Sequence, residues 1–157
     1  MQVHYSSDRQ DWGTPWEFFL KVFEIYNFRL DACASSENAK VHPFLTKEQD
    51  SINHSWGEGP VWCNPPYGKE QIKFIQKAAD EQFERGVTSV LLIPARPDTS
   101  VWQDIIFKKA SAVCFVRGRI KFEGAEFSAP FPSALVVFGE VRDLSGIGHV
   151  VLLGNDE

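Results

Sequence analysis

The sequence has little cysteine and no excess of positive charge. Its three cysteines in 157 residues are an odd number, and Cys33, Cys63 and Cys114 each lie in or beside an apolar run. That argues against a disulfide framework and for buried thiols in a reducing cytoplasm. No Cys-x-x-Cys or Cys/His spacing is present, so no metal is expected. The first residues, Met1 to Tyr5, lack a basic stretch leading into an apolar one, which argues against a secretory leader. No apolar run approaches the length needed to cross a bilayer, so no membrane partner is expected. Sixteen basic residues face 21 acidic ones, a formal net charge of −5. Charge alone does not hold such a protein on nucleic acid, and any contact must use a local basic patch. Repeats and low-complexity tracts are absent as well.

What the sequence does have is a hydrophobic share of 43%, with thirteen Phe and five Trp. That supports one domain over residues 1–157 with a substantial core. Residues 1–10 are polar and read as an extended arm. Thr14, Pro15 and Glu17 predict a helix start, with Thr14 as N-cap, Pro15 in the first position and Glu17 closing a capping box. Phe18, Phe19, Val22, Phe23 and Tyr26 follow at helical spacing, and Asn27 can end the helix.

Strands are expected at 28–33, weakly at 41–45, at 61–63, 87–93, 112–116, 134–138 and 149–153. A second helix fits Ile72, Ile75, Ala79 and Phe83 on one stripe, with Gly86 as its C-cap. A third runs from a cap among Asp98, Thr99 and Ser100 to about Lys109. Alternating strands and helices predict an α/β domain with a mostly parallel sheet and helices on both faces. Such sheets bind ligands beyond the carboxyl ends of their strands. Asp31, Asn64 and Pro94-Ala95-Arg96 would then share one rim.

The most specific local feature is Asn64-Pro65-Pro66-Tyr67, directly after the apolar Val61-Trp62-Cys63. Two prolines can neither continue a ladder nor enter a helix interior. They make a stiff turn that presents an amide, a backbone carbonyl and an aromatic ring. Asn64 and the Pro65 carbonyl can accept the hydrogens of an exocyclic amine, while Tyr67 stacks on its ring. Such stacking is worth about 1–3 kcal/mol per base.

That turn resembles the catalytic motif of S-adenosylmethionine-dependent amino-methyltransferases. With Asp11-Trp12-Gly13-Thr14-Pro15, Leu30-Asp31-Ala32-Cys33-Ala34-Ser35, Pro94-Ala95-Arg96, Gly118-Arg119-Ile120-Lys121-Phe122 and Ala129-Pro130-Phe131-Pro132-Ser133, the ordered set is similar to small phage-type DNA N6-adenine methyltransferases. The resemblance runs from about Asp11 to Phe138. It implies a Rossmann-like methyltransferase fold, S-adenosylmethionine as cofactor and DNA as partner.

It also implies site roles. Asn64, Pro65, Pro66 and Tyr67 would be catalytic. The cofactor would lie against Asp31, Ala32, Cys33, Ala34 and Ser35, where many methyltransferases carry glycines instead. Thr14, Pro15 and Asp50 would be further cofactor contacts. Helix capping accounts equally well for Thr14 and Pro15, a capping carboxylate for Asp31, and a solvated loop for Asp50. Glu37 and Glu48 are candidates for the cofactor ribose. Arg96 could meet a phosphate or the cofactor carboxylate, with an ordinary surface arginine as the competing account. Arg117, Arg119 and Lys121 alternate, so a strand or hairpin over them would form a basic ridge toward DNA. A charged edge strand protected from aggregation is the competing account of that ridge. Residues 117–133 are therefore the expected DNA-facing insertion. The adenine would have to be flipped out of the duplex to reach the turn. Similar turns also serve enzymes that methylate protein glutamine or RNA guanine N2, and a DNA-binding relative without catalysis is a third alternative. Nothing in the pattern sets an oligomeric state.

Overall fold

A computed structural model describes residues 12–155. The expected arm, residues 1–10, lies outside the described residues. Helix α1 (Trp16–Tyr26) leads to strand β1 (Leu30–Asp31), and after two short 3-10 turns the chain forms β2 (Val61–Cys63). Helix α2 (Lys69–Arg85) precedes β3 (Ser89–Pro94). A π turn at Trp102–Ile106 runs into the short α3 (Phe107–Lys109), and β4 (Ala112–Val116), β5 (Ser133–Phe138) and β6 (Gly148–Leu152) complete the order.

One six-stranded sheet has the order β1-β2-β3-β5-β4-β6. Strands β1, β2 and β3 are mutually parallel, but β5 is antiparallel to both neighbours and β6 is antiparallel to β4. The sheet is thus mixed, which corrects the mostly parallel expectation. The physical reason lies in the connections. Segment 117–132 joins β4 to β5 with no helix in it, so the chain returns alongside β4 instead of crossing over. Strands β3 and β5 are buried on both faces, and a continuous apolar run looks the same in a parallel or an antiparallel neighbour pair.

Helices do cover both faces. On one, Phe19, Val22 and Tyr26 of α1 pack with Trp62, Leu92, Leu135 and Val137. On the other, Ile75 and Ala78 of α2 and Trp102 and Ile106 of the π turn pack with Leu91, Val113 and Val136. Helix ends follow the sequence at their carboxyl termini. Asn27 (φ 52°) and Gly86 (φ 70°) adopt the left-handed conformation that closes α1 and α2.

Three local expectations change. Pro15, not Thr14, occupies the cap position of α1, and no side-chain cap bond forms there, because Thr14 is engaged elsewhere. The weak strand at 41–45 reduces to a single bridge between Asp31 and Phe44. Residues 117–122 form no strand. Arg117, Arg119 and Lys121 are nevertheless all exposed while Ile120 and Phe122 are buried, so the alternation survives in an irregular segment.

Candidate active site

Strands β1 and β2 run parallel in the register Leu30↔Val61 and Asp31↔Trp62, so they end side by side. Beyond those ends opens a cleft of about 700 Å³. Its wall carries Asp31, Ala32, Cys33, Ala34 and Ser35 from the post-β1 segment. Thr14, Asp50, Asn64, Pro66 and Tyr67 join them from far along the chain. Ten of the residues singled out in the sequence therefore meet on one surface. Pro15 and Pro65 are not on that wall; Pro65 is buried beneath the turn. Arg96, Arg117, Arg119 and Lys121 are exposed and also off the wall. Neither Glu37 nor Glu48 reaches it, and Glu37 is an exposed carboxylate held low by hydrogen bonds with its own backbone, Ser35 and Ser36.

The Asn64 side chain is oriented by two acceptors. Its Nδ2 donates to the Trp12 carbonyl at 2.6 Å and to the Thr14 hydroxyl at 2.9 Å. A carbonyl can only accept, so the nitrogen must be the atom that faces it. Both amide hydrogens are thereby committed, and Oδ1 is left as an acceptor. Thr14 thus serves the turn rather than the helix.

Tyr67 is half-buried and meets Phe131 edge to face, with centroids 5.6 Å apart. Phe131 continues to Phe122 at 6.3 Å, and Phe122 to Trp12 at 6.4 Å. The Arg96 guanidinium lies 5.8 Å over the Phe131 ring. A row of rings therefore carries the 117–133 segment up to the cleft, and Arg96 stands at its outer end.

Asp31 is only 2% exposed. Burial pushes its carboxyl up to about 7, against the opposing pull of the Lys40 and Cys33 backbone amides and the Lys40 charge. Those amides donate to Oδ2 at 2.9 Å and to Oδ1 at 3.3 Å. No helix follows β1, so this carboxylate ties a loop together instead of capping a helix. Asp50 is exposed at the cleft mouth, in the left-handed region (φ 51°), and its Oδ2 accepts from Asn53 Nδ2 at 2.7 Å. The remaining wall sets the apolar Leu45, Ile52, Trp62 and Phe74 beside the charged Lys40, Lys47 and Glu70. Among the described residues no group of three or more His, Cys, Asp or Glu could hold a metal ion. No helix among them is long and apolar enough to cross a membrane.

Lys40 was not visible from sequence. It is 8% exposed, lines the cleft, and sends Nζ to Glu123 Oε1 at 3.0 Å while lying 4.4 Å over the Trp16 ring. No spacing or motif around Lys40 marks it. Trp12 and Gly13 also line the cleft, and their signal was the Asp11-to-Pro15 motif.

The family described as DNA N-6-adenine-methyltransferase (Dam) matches residues 3–139. The DNA N-6-adenine-methyltransferase of Haemophilus phage HP1 is 32% identical over 119 residues, covering 74% of this chain and 68% of the relative. The putative methyltransferase YfdM of Escherichia coli K12 is 32% identical over 63 residues, 36% of this chain and 69% of that protein. The chain belongs to the DNA N-6-adenine-methyltransferase family and is an adenine-specific DNA methyltransferase. Protein glutamine and RNA guanine fall away as acceptors.

Proposed function

We propose that the cleft binds S-adenosylmethionine and that Asn64 and the Pro65 carbonyl present the N6 of a flipped-out adenine to it. The observation that carries this reading is the committed Asn64 nitrogen, which fixes Oδ1 as an acceptor. The cleft suits the cofactor chemically. A cationic nucleoside finds three carboxylates, Asp31, Asp50 and Glu70, set against Lys40 and Lys47, and apolar side chains for its flat ring. The small side chains of Ala32, Ala34 and Ser35 allow close backbone approach where glycines would otherwise serve. Bound there, S-adenosylmethionine supplies an electrophilic methyl carbon on a sulfonium.

The rest is the work of this chain's residues. The lone pair of adenine N6 is delocalised into the ring, which makes the amine a poor nucleophile. Oδ1 of Asn64 and the Pro65 carbonyl accept its two hydrogens and favour a pyramidal nitrogen. These bonds strengthen as positive charge develops, so they stabilise the transition state more than the ground state. Tyr67, steadied by Phe131, offers its ring to the base. No strong general base is needed, because the methylated nitrogen is acidic and loses its proton afterwards.

Residues 117–133 form the DNA-facing segment in this reading, with Arg96, Arg117, Arg119 and Lys121 toward phosphates. This reading places the protein in the cytoplasm, where the DNA substrate resides. The test is methylation of long unmethylated duplex DNA with labelled cofactor, followed by sequencing that reads modified adenines. Asn64→Ala is expected to lose about 10²–10³-fold in single-turnover rate, the scale of one preorganised polar contact. Its cofactor affinity, by calorimetric titration, should stay within a few-fold. Full activity in this variant would refute the assignment, and absence of cofactor heat in the wild type would favour a binding-only relative.

A further inference from the structure

The groups that orient Asn64 are themselves held in place, and resting on the catalytic reading of Asn64, a further role follows. Its amide nitrogen is bonded to Trp12 and Thr14, which flank Gly13 in a short strap. Besides the Trp12–Phe122 ring contact, Glu123 fastens that strap. The Glu123 backbone amide donates to the Gly13 carbonyl at 2.9 Å. The Glu123 carboxylate then turns back to Lys40, whose side chain is 3% exposed, at 3.0 Å. Gly13 lies under that carboxylate so closely that an added Cβ would collide with Glu123 Oε1. Lys40 is anchored independently, through its backbone amide to Asp31 at the end of β1 and through its ammonium over Trp16. The contacts run unbroken from β1 through Lys40, Glu123 and the strap to Asn64.

We propose that the Lys40–Glu123 ion pair is a clamp that positions the Asn64 amide by pressing the Trp12-Gly13-Thr14 strap against it. Lys40 and Glu123 are positioning residues, and neither touches the base. The clamp also gives the 117–133 segment a hold on the catalytic amide, since Glu123 lies within that segment. Displacing a reacting group by about 1 Å costs up to about 10²-fold in rate, so a modest loosening of the strap is kinetically visible.

The experiment has two readouts. One is the single-turnover methylation rate beside the KM for S-adenosylmethionine. The other is the pair of Asn64 side-chain amide signals in proton–nitrogen NMR spectra, identified by their loss in Asn64→Ala. Glu123→Gln should lower the rate about tenfold with KM nearly constant, and speed hydrogen exchange of the Asn64 amide. Gly13→Ala, which pushes Glu123 off Lys40 without backbone strain, should do the same. Combining it with Glu123→Gln should add little. Should a lone buried ammonium prevent folding of Glu123→Gln, the pair Lys40→Met with Glu123→Gln removes both charges and tests the same contact. Folded variants with wild-type rate and unchanged Asn64 exchange would overturn the clamp. Full activity in Asn64→Ala would instead sink the catalytic reading, while the exchange measurement still judges the clamp.

Discussion

The two halves of the sheet are built differently. In the cleft half, β1 has two residues and β2 three, and the long excursion over 32–60 between them has two 3-10 turns and no strand of its own. In the ladder half, β3 and β5 pair over six residues, β4 and β5 over four, and β4 and β6 over five. Every residue of β5 is buried. The cleft half buries the charged Asp31 and Lys40 beside Thr14, whereas the buried polar residues along the ladder are the serines Ser89, Ser111 and Ser133. Short strands give way to loops around the cleft in which we place the chemistry, and the long ladder supplies the cohesion that those loops lack. The contrast predicts that changes in one half cost rate and changes in the other cost stability.

Leu135→Ala is the sharpest way to break that contrast. Leu135 is fully buried in β5, opposite Leu92 on one side and Cys114 on the other. Truncation leaves a cavity and should cost about 2–5 kcal/mol in denaturant unfolding. The methylation rate per folded molecule should stay within twofold of wild type, the reverse of the pattern expected for Asn64→Ala. A collapsed rate in the folded fraction would mean that the ladder shapes the site directly.

A smaller effect sharpens the contrast from the cleft side. Asp31 has its carboxyl pushed by burial from the ordinary 3.8 up to about 7. Between those values the native state holds a proton that the unfolded state has released. Stability should therefore fall as pH rises from about 4 to about 7 and level off above that. Asp31→Asn should flatten this slope, as measured by urea midpoints at pH 5 and pH 8. In the catalytic reading the ionised carboxylate also attracts the cationic cofactor, so cofactor affinity should tighten between pH 6 and pH 8 in the wild type and not in Asp31→Asn. An equal slope in both proteins would show that another group titrates.

Much of the cleft half was legible in the sequence because its signals are local. A double proline after an apolar run stops a strand in one way only, and Asn64, Pro66 and Tyr67 stand on the cleft wall as that turn requires. The post-β1 loop was equally plain, since Asp31 ends β1 and Asn64 follows β2 on the same rim. What stayed hidden depends on partners distant in sequence. The direction of β5 is set by the helix-free connection at 117–132, not by the residues Ser133–Phe138. Thr14 carries the pattern of a helix cap, yet its hydroxyl bonds Asn64, fifty residues on. Lys40 gains its meaning only from Glu123, 83 residues later.

The smallest predicted effect concerns the segment that joins the two halves. It leaves the ladder at the end of β4, shows Arg117, Arg119 and Lys121 to solvent, buries Ile120 and Phe122, and reaches the cleft through Glu123 and Phe131. In an acidic protein these three cations are the nearest thing to a phosphate track on that path. Each phosphate contact contributes about 0.9 to the slope of log affinity against log salt. Changing all three to alanine should lower that slope by up to three such steps and weaken DNA binding similarly for every sequence tested. The methylation rate on saturating DNA at low salt should barely move, because none of the three lies on the cleft wall. An unchanged slope would make the ridge a merely solvated face, and DNA would then have to be held from the cleft half alone.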